Sequence, residues 1–244
     1  MSRERYQDAL WYNKPVRILI FGAGGIGSWS SFFLTRAGFD VRIFDFDRVE
    51  EHNLGGQMFL HQDIGKLKID AVNNVARLFN NDDYMFRGMN FKVGSNFSFN
   101  DRGGFYEYNP RIATIVISAF DNMEARKNLF TAFTAANNTT PMWFIDGRLL
   151  MEQMRIYCIN KSHQKSIIDY IDAHLFDDSE VEELPCTMKQ VGHGAAMIAT
   201  HITGFVTNIV SNEFVWREEV FQVPYMWDYI IPTNSVTQKL ASEL

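Results

Sequence analysis

The residues best suited to chemistry begin at Gly22. Gly22-Ala23-Gly24-Gly25-Ile26-Gly27 follows a short apolar run and matches the spacing G-x-G-x-x-G. Gly22, Gly24, Gly25 and Gly27 let the backbone turn tightly and approach a phosphate closely. A helix opening at that point offers unpaired N–H groups and a positive dipole end to an anion. Asp45 lies at the end of the next expected strand, where an acidic side chain accepts from ribose hydroxyls. The chemistry is nucleotide binding. These residues fit a dinucleotide as well as ATP, so an NAD-dependent oxidoreductase stays open at this point, beside a plain strand–helix turn that binds nothing.

Other residues have a reactive and a plain reading. Lys68 could meet phosphate or be a solvated helix lysine. Asn53 could cap a turn. Asp121, before Asn122, could cap the next helix. Cys186 sits in Leu184-Pro185-Cys186-Thr187, between an acidic stretch at 177–183 and an uncharged helix expected at 190–212. A helix N-terminus lowers a thiol's pKa and favours the thiolate, and His193 follows about two helical turns on. A small apolar residue at a helix start is the plain alternative. Cys158, in an apolar run, reads as core. His52, His61, His163 and His174 show no metal spacing and read as surface or structural.

Three linked segments narrow the choice. Asp45-Phe46-Asp47-Arg48-Val49-Glu50-Glu51-His52-Asn53-Leu54-Gly55-Gly56-Gln57 resembles the signature D-x-D-x-V-E-x-x-N-L-x-R-Q of the ThiF/MoeB adenylyltransferases and ubiquitin-activating enzymes. Asp63-Ile64-Gly65-Lys66-Leu67-Lys68 resembles that family's D-x-G-x-x-K. Ser118-Ala119-Phe120-Asp121-Asn122 resembles its C-x-D-N. The resemblance is close over about residues 16–155 and loose beyond. It implies ATP and Mg²⁺ as cofactors and an acyl-adenylate formed on the C-terminal carboxylate of a small ubiquitin-like or sulfur-carrier protein or peptide. By the same resemblance, the glycine loop would lie under the phosphates and Asp45 would hold the ribose. Asp47, Asn53 and Gln57 would line the nucleotide site. Lys68 would pair with phosphate oxygens, Asp121 would bind the magnesium ion, and Cys186 would stand where ubiquitin-activating enzymes form a thioester. A homodimer is implied as well, with the uncharged helix as candidate interface. One position departs from the pattern: Gly56 stands where the family has an arginine that touches the ATP phosphates, and glycine offers no charge. Arg48, Lys66 and Arg148 are the cations placed to replace it. A family member that binds nucleotide without turnover is therefore the alternative. The zinc-binding cysteine pairs of many relatives are absent.

Positioning these residues takes an α/β fold. The run 16–21 reads as a buried first strand, followed by a helix at 25–38 and a strand at 41–44. Apolar residues from Ile64 to Leu78 mark an amphipathic helix. Residues 112–118 are β-branched and apolar, a third strand; 122–136 reads as helix and 142–145 as strand. Residues 155–159 read as a strand near the sheet edge, 164–176 as helix, 94–110 as a loop, and 220–231 as an aromatic tail. The expectation is a Rossmann-like, doubly wound, mostly parallel sheet with helices on both faces and a C-terminal antiparallel extension, in one domain over residues 1–244.

Composition bounds the partners. The 244 residues carry a net charge of −6, which gives no basic surface for a nucleic-acid backbone. Two cysteines make neither a disulfide framework nor a four-cysteine zinc site, and a reducing cytoplasm is the simplest setting. Residues 1–14 lack the apolar core of a signal peptide. The uncharged helix is long enough to span a membrane. Its polar residues and single apolar stripe instead read as a buried or interface helix, so no membrane partner is expected. The chain has 21 phenylalanines, a bias with no functional reading at this level.

Overall fold

A computed structural model of the chain describes residues 6–79, 86–100, 108–150, 153–176, 192–216 and 219–244. One sheet of eight strands runs through them: β1 (Val16–Phe21), β2 (Asp40–Asp45), β3 (Phe86–Asn90), β4 (Ala113–Ser118), β5 (Met142–Leu150), β6 (Gln153–Asn160), β7 (Met226–Ile230) and β8 (Ser235–Lys239). Their order is β3-β2-β1-β4-β5-β6-β7-β8. β3, β2, β1, β4 and β5 are parallel, and β6, β7 and β8 continue antiparallel from β5. The direction of winding reverses between β1 and β4. Side loops leave the sheet in opposite directions at such a point and open a crevice at the strand C-termini.

Both faces of the sheet are covered, which explains the continuous apolar runs in its central strands. In β1, Ile18 and Ile20 face one cluster while Leu19 and Phe21 face another. The first cluster takes in α1 (Gly25–Arg36), α2 (Lys68–Phe79) and α5 (Gly192–Ser211) through Ile26, Leu34, Val72, Ile198 and Ile202. The second takes in α3 (Met123–Ala135) and α4 (Gln164–His174) through Leu129, Phe130, Phe133, Ile167 and Tyr170.

Four elements depart from the sequence reading. β6, expected near the sheet edge, is paired on both sides, by β5 and β7. α1 stops at Arg36, because Gly38 takes a φ of 88° and its N–H donates to the Thr35 carbonyl, a left-handed glycine stop. β3 carries no period-two pattern. It is fixed by tertiary contact, where Gly88 lies so close to α2 that an added Cβ would sit 2.9 Å from the Ile69 carbonyl oxygen. β8 is polar and exposed, as edge strands tend to be, so its apolar pattern gave no sign of it.

α5 is long and apolar enough to cross a membrane by length and composition, and half of its apolar window is buried in this fold. Ile198, Ile202 and Val206 are fully buried in the first core cluster. The single apolar stripe faces the sheet and α1.

Candidate nucleotide site

The site is built at the C-terminal ends of β1, β2 and β4. Gly22 follows β1 with a φ of 100°, and a Cβ there would stand 2.6 Å from the Ala119 carbonyl oxygen beyond β4. A Cβ on Gly27 would stand 1.8 Å from the Gly22 carbonyl oxygen. The glycines thus bring the β1 turn, the start of α1 and the β4 turn together. Gly24 caps α1 without a side-chain bond, and a Cβ there would meet nothing within 4 Å. The first-turn N–H groups of α1 therefore receive no side-chain cap, which is the arrangement that receives an anion. Gly27→Ala is expected to push the loop apart, costing about 1–3 kcal/mol by overpacking and most of the nucleotide affinity; thermal denaturation and a nucleotide titration check the two effects.

Asp45 is 8 % exposed and already has backbone partners: the Ala23 N–H donates to Oδ2 at 2.6 Å and the Asp47 N–H to Oδ1 at 2.7 Å. It ties the glycine loop to the end of β2. A carboxylate offers about four acceptor positions, so these two bonds leave room for ribose hydroxyls.

The segments 45–50 and 63–68 are zipped together. The Val49 N–H donates to the Lys66 carbonyl, the Gly65 N–H to Val49, and the Lys68 N–H to Asp47, each at 2.8–2.9 Å. Lys68 opens α2, is 8 % exposed, and rests its ammonium 3.2 Å from Asp47 Oδ2. A buried lysine held to a half-exposed aspartate is a cation at the rim of the crevice, with Asp47 as its resting partner.

Residues 50–58 fold against α1. Asn53 is buried and its Oδ1 accepts from the Glu50 N–H at 2.9 Å, so it does cap a turn. The Gly56 carbonyl accepts from Trp29 Nε1 at 3.3 Å, and the Met58 N–H donates to Ser28 Oγ at 3.1 Å. Gln57 Oε1 is buried without a partner, as is Ser118 Oγ at the end of β4. Such orphaned polar atoms fit a site completed by a ligand. The start of α5 backs onto the same turn, where a Cβ on Gly192 would stand 3.0 Å from the Gly55 carbonyl oxygen.

The three cations placed to replace the family arginine are all engaged within the chain. Arg48 Nη1 donates to the Gly65 carbonyl at 2.7 Å, Lys66 pairs with Asp63 at 2.8 Å, and Arg148 Nε donates to Asp146 Oδ2 at 2.6 Å.

Asp121 is exposed. Its neighbour Asn122 is the N-cap of α3, accepting the Ala125 N–H at 2.8 Å, so Asp121 is not the cap. Among the described residues no group of three or more His, Cys, Asp or Glu side chains could hold a metal by itself. Asp121 fits Mg²⁺ nonetheless, because that ion keeps waters and is bound through one or two carboxylates plus substrate phosphates.

Two residues that the sequence reading did not single out stand behind Asp121. Arg126, on the buried face of α3, donates to Asp146 Oδ1 and to the Phe120 carbonyl, and to the Gly147 carbonyl at 3.2 Å. Asp146 is fully buried. Burial opposes its ionisation, but the Arg126 and Arg148 guanidiniums outweigh it and hold the carboxyl below its ordinary range. The available signal was a charged residue at 126 sharing a helix face with Leu129, Phe130 and Phe133. Cys186 and the acidic stretch at 177–183 lie outside the described residues. Cys158 is buried in β6, and burial pushes its thiol pKa up.

Residues 8–242 match the ThiF family. The chain belongs to the ThiF family. Its sequence is 33 % identical over 137 residues to ubiquitin-like modifier-activating enzyme 5 of Xenopus laevis, covering 53 % of this chain and 33 % of that protein. The counterpart in Rattus norvegicus is 31 % identical over 137 residues, covering 53 % and 32 %. The matched part spans about a third of the curated relatives' length. In structure the chain is similar to the Escherichia coli MccB fold: the microcin C7 biosynthetic enzyme MccB in complex with N-formylated MccA superposes with a TM-score of 0.66 at 16 % identity, covering 96 % of this chain and 66 % of that one. PaaA superposes at 0.63, also at 16 % identity, covering 97 % and 66 %. At these identities the likeness is one of fold. A ThiF-family sheet, mostly parallel with antiparallel C-terminal strands, is what the chain adopts.

Proposed function

We propose that the protein is an ATP-dependent adenylyltransferase that activates the C-terminal carboxylate of a small ubiquitin-like or sulfur-carrier-type protein or peptide. The observation that carries the reading is the convergence at one switch point of an uncapped glycine-loop helix, the buried Lys68 and the exposed Asp121. The named relatives support it: one is a ubiquitin-like modifier-activating enzyme, and MccB is solved in complex with N-formylated MccA.

In the reaction a carboxylate oxygen of the acceptor attacks the α-phosphorus of ATP. The bond from that phosphorus to the bridging oxygen breaks and pyrophosphate leaves, giving an acyl-adenylate. The negative charge that builds on phosphate favours preorganised donors and cations. The first-turn N–H groups of α1 meet phosphate oxygens, Asp45 orients the ribose, Asn53 and Gln57 line the phosphate region, and Lys68 leaves Asp47 for phosphate. A magnesium ion held through Asp121 would supply positive charge against the same oxygens. Hydride transfer to or from NAD has no task for Lys68 or Asp121. In this reading the protein acts in the cytoplasm as a homodimer, with the outer face of α5 as interface.

A second reading has its own observation. Gly56 offers no charge and the three candidate cations are engaged within the chain, which favours nucleotide binding without turnover. Exchange of labelled pyrophosphate into ATP, screened against C-terminal peptides and ubiquitin-like proteins, separates the two. Acceptor-dependent exchange is the expected result, surviving in Cys186→Ala while any thioester is lost. Intact ATP binding with no exchange across the panel would replace the first reading with the second.

A further inference from the structure

The ionic cluster behind Asp121 reaches further than the nucleotide site. Asp146, on β5, accepts from donors on three elements. Oδ1 takes Arg126 Nη1 from α3; Oδ2 takes Arg148 Nε at 2.6 Å and the Tyr170 hydroxyl from α4 at 2.9 Å. On one side, Arg126 Nη2 donates to the Phe120 carbonyl, whose peptide bond leads directly into Asp121. On the other, Arg148 Nη2 donates to the His174 carbonyl at 2.8 Å, at the end of α4. The Arg148 guanidinium also lies 4.9 Å from the Tyr157 ring centroid, 5.7 Å from Tyr170 and 5.7 Å from Phe176.

An apolar trio would cover the same space without the cost of desolvating two guanidiniums and a carboxylate. What the charged arrangement adds is direction: Arg126 fixes the Phe120 carbonyl and Arg148 the His174 carbonyl. We propose that Asp146 is a positioning residue that couples the end of α4 to the loop presenting Asp121, acting through Arg126 on one side and through Arg148 and Tyr170 on the other. The two backbone segments then move together: ordering the end of α4 also sets the loop that presents Asp121. This rests on the adenylyltransferase reading for its purpose, though the mechanical coupling stands on the apoprotein alone.

The test uses Asp146→Asn and Tyr170→Phe on the full chain, with Val206→Ala as a control that destabilises by packing far from the cluster. Amide hydrogen exchange in the absence of nucleotide reads the coupling at peptides covering 119–125 and 170–176. Asp146→Asn is expected to speed exchange about ten-fold in both peptides, Tyr170→Phe several-fold in both, and Val206→Ala in neither. Calorimetric titration of ATP with and without Mg²⁺ gives the second readout: the gain in affinity from Mg²⁺ should fall about ten-fold in Asp146→Asn, with metal-free affinity unchanged. Faster exchange at 170–176 alone would overturn the coupling, as would an equal effect from Val206→Ala. If Asp146→Asn fails to fold, the exchange pattern of Tyr170→Phe decides alone. A wild-type protein whose ATP affinity ignores Mg²⁺ would instead sink the adenylyltransferase reading while leaving the exchange result to judge the coupling.

Discussion

Asp121→Ala is expected to lower the affinity for Mg-ATP on the order of 100-fold while raising that for metal-free ATP. The crossing of signs follows from electrostatics. With Mg²⁺ present, Asp121 would be the protein's carboxylate anchor for the ion; without it, the same carboxylate only repels the phosphates. Stability should change by no more than about 0.5 kcal/mol, as for most exposed substitutions. Asp121 is exposed and Asn122 carries the cap of α3, so the variant separates binding from folding. Titration calorimetry in both metal conditions, with denaturation as control, reads all three. An equal loss with and without Mg²⁺ would place Asp121 outside the metal site.

Asp146→Ala should be the most destabilising single change in the site, by about 3–5 kcal/mol, because it leaves two guanidiniums buried without their common partner. Tyr170→Phe removes one neutral donor and should cost about 1 kcal/mol. The pH dependence has a definite sign. The Asp146 carboxyl is held below its ordinary value of 3.8. Its contribution is therefore complete above that value and is lost as the pH falls through the lower folded value. The gap in stability between wild type and Asp146→Ala should be constant from neutral pH down to about 5 and narrow as the pH falls further into the acid range. Urea denaturation across that range measures it. A gap that closes near pH 6 would assign the titration to another group. His174 would then be the group to test: burial lowers its pKa from 6.5, its ring nitrogen Nδ1 lies 3.1 Å from the Tyr157 hydroxyl, and Nε2 lies 3.5 Å from Asp169.

The parts of this site that were legible in the sequence are those whose chemistry is local. The glycine loop announces itself because a tight turn between strand and helix needs glycine at fixed offsets, and Gly22 and Gly27 stand where a Cβ would collide with backbone. The segments 45–57 and 63–68 were legible as motifs, and the structure supplies a reason for their linked spacing: they zip to one another through Val49, Gly65 and Lys68. The hydrogen-bond duty of Asp45 within the chain was less visible. Asp45 spends bonds on Ala23, 22 residues away, and only the folded sheet brings those two together. The Arg126–Asp146 pair spans 20 residues and two elements, so neither partner reveals the other in sequence. β3 was hidden for a different reason. Its residues Phe86-Arg87-Gly88-Met89-Asn90 carry no strand pattern, and it pairs with β2 where Gly88 lets α2 approach closely. The phenylalanine bias finds a structural use: Phe21, Phe44, Phe97 and Phe99 form an aromatic cluster beside the strand ends, with Phe21 stacked on Phe44 at 4.6 Å.

The most direct test of the central claim is calorimetric titration of the wild-type chain with Mg-ATP and with NAD. The expected result is saturable Mg-ATP binding, weakened when Mg²⁺ is withheld, and NAD binding at least ten-fold weaker. Tighter binding of NAD, or no binding of either, would contradict it: the first would make the glycine loop a dinucleotide site, and the second would leave Lys68 and Asp121 without a ligand.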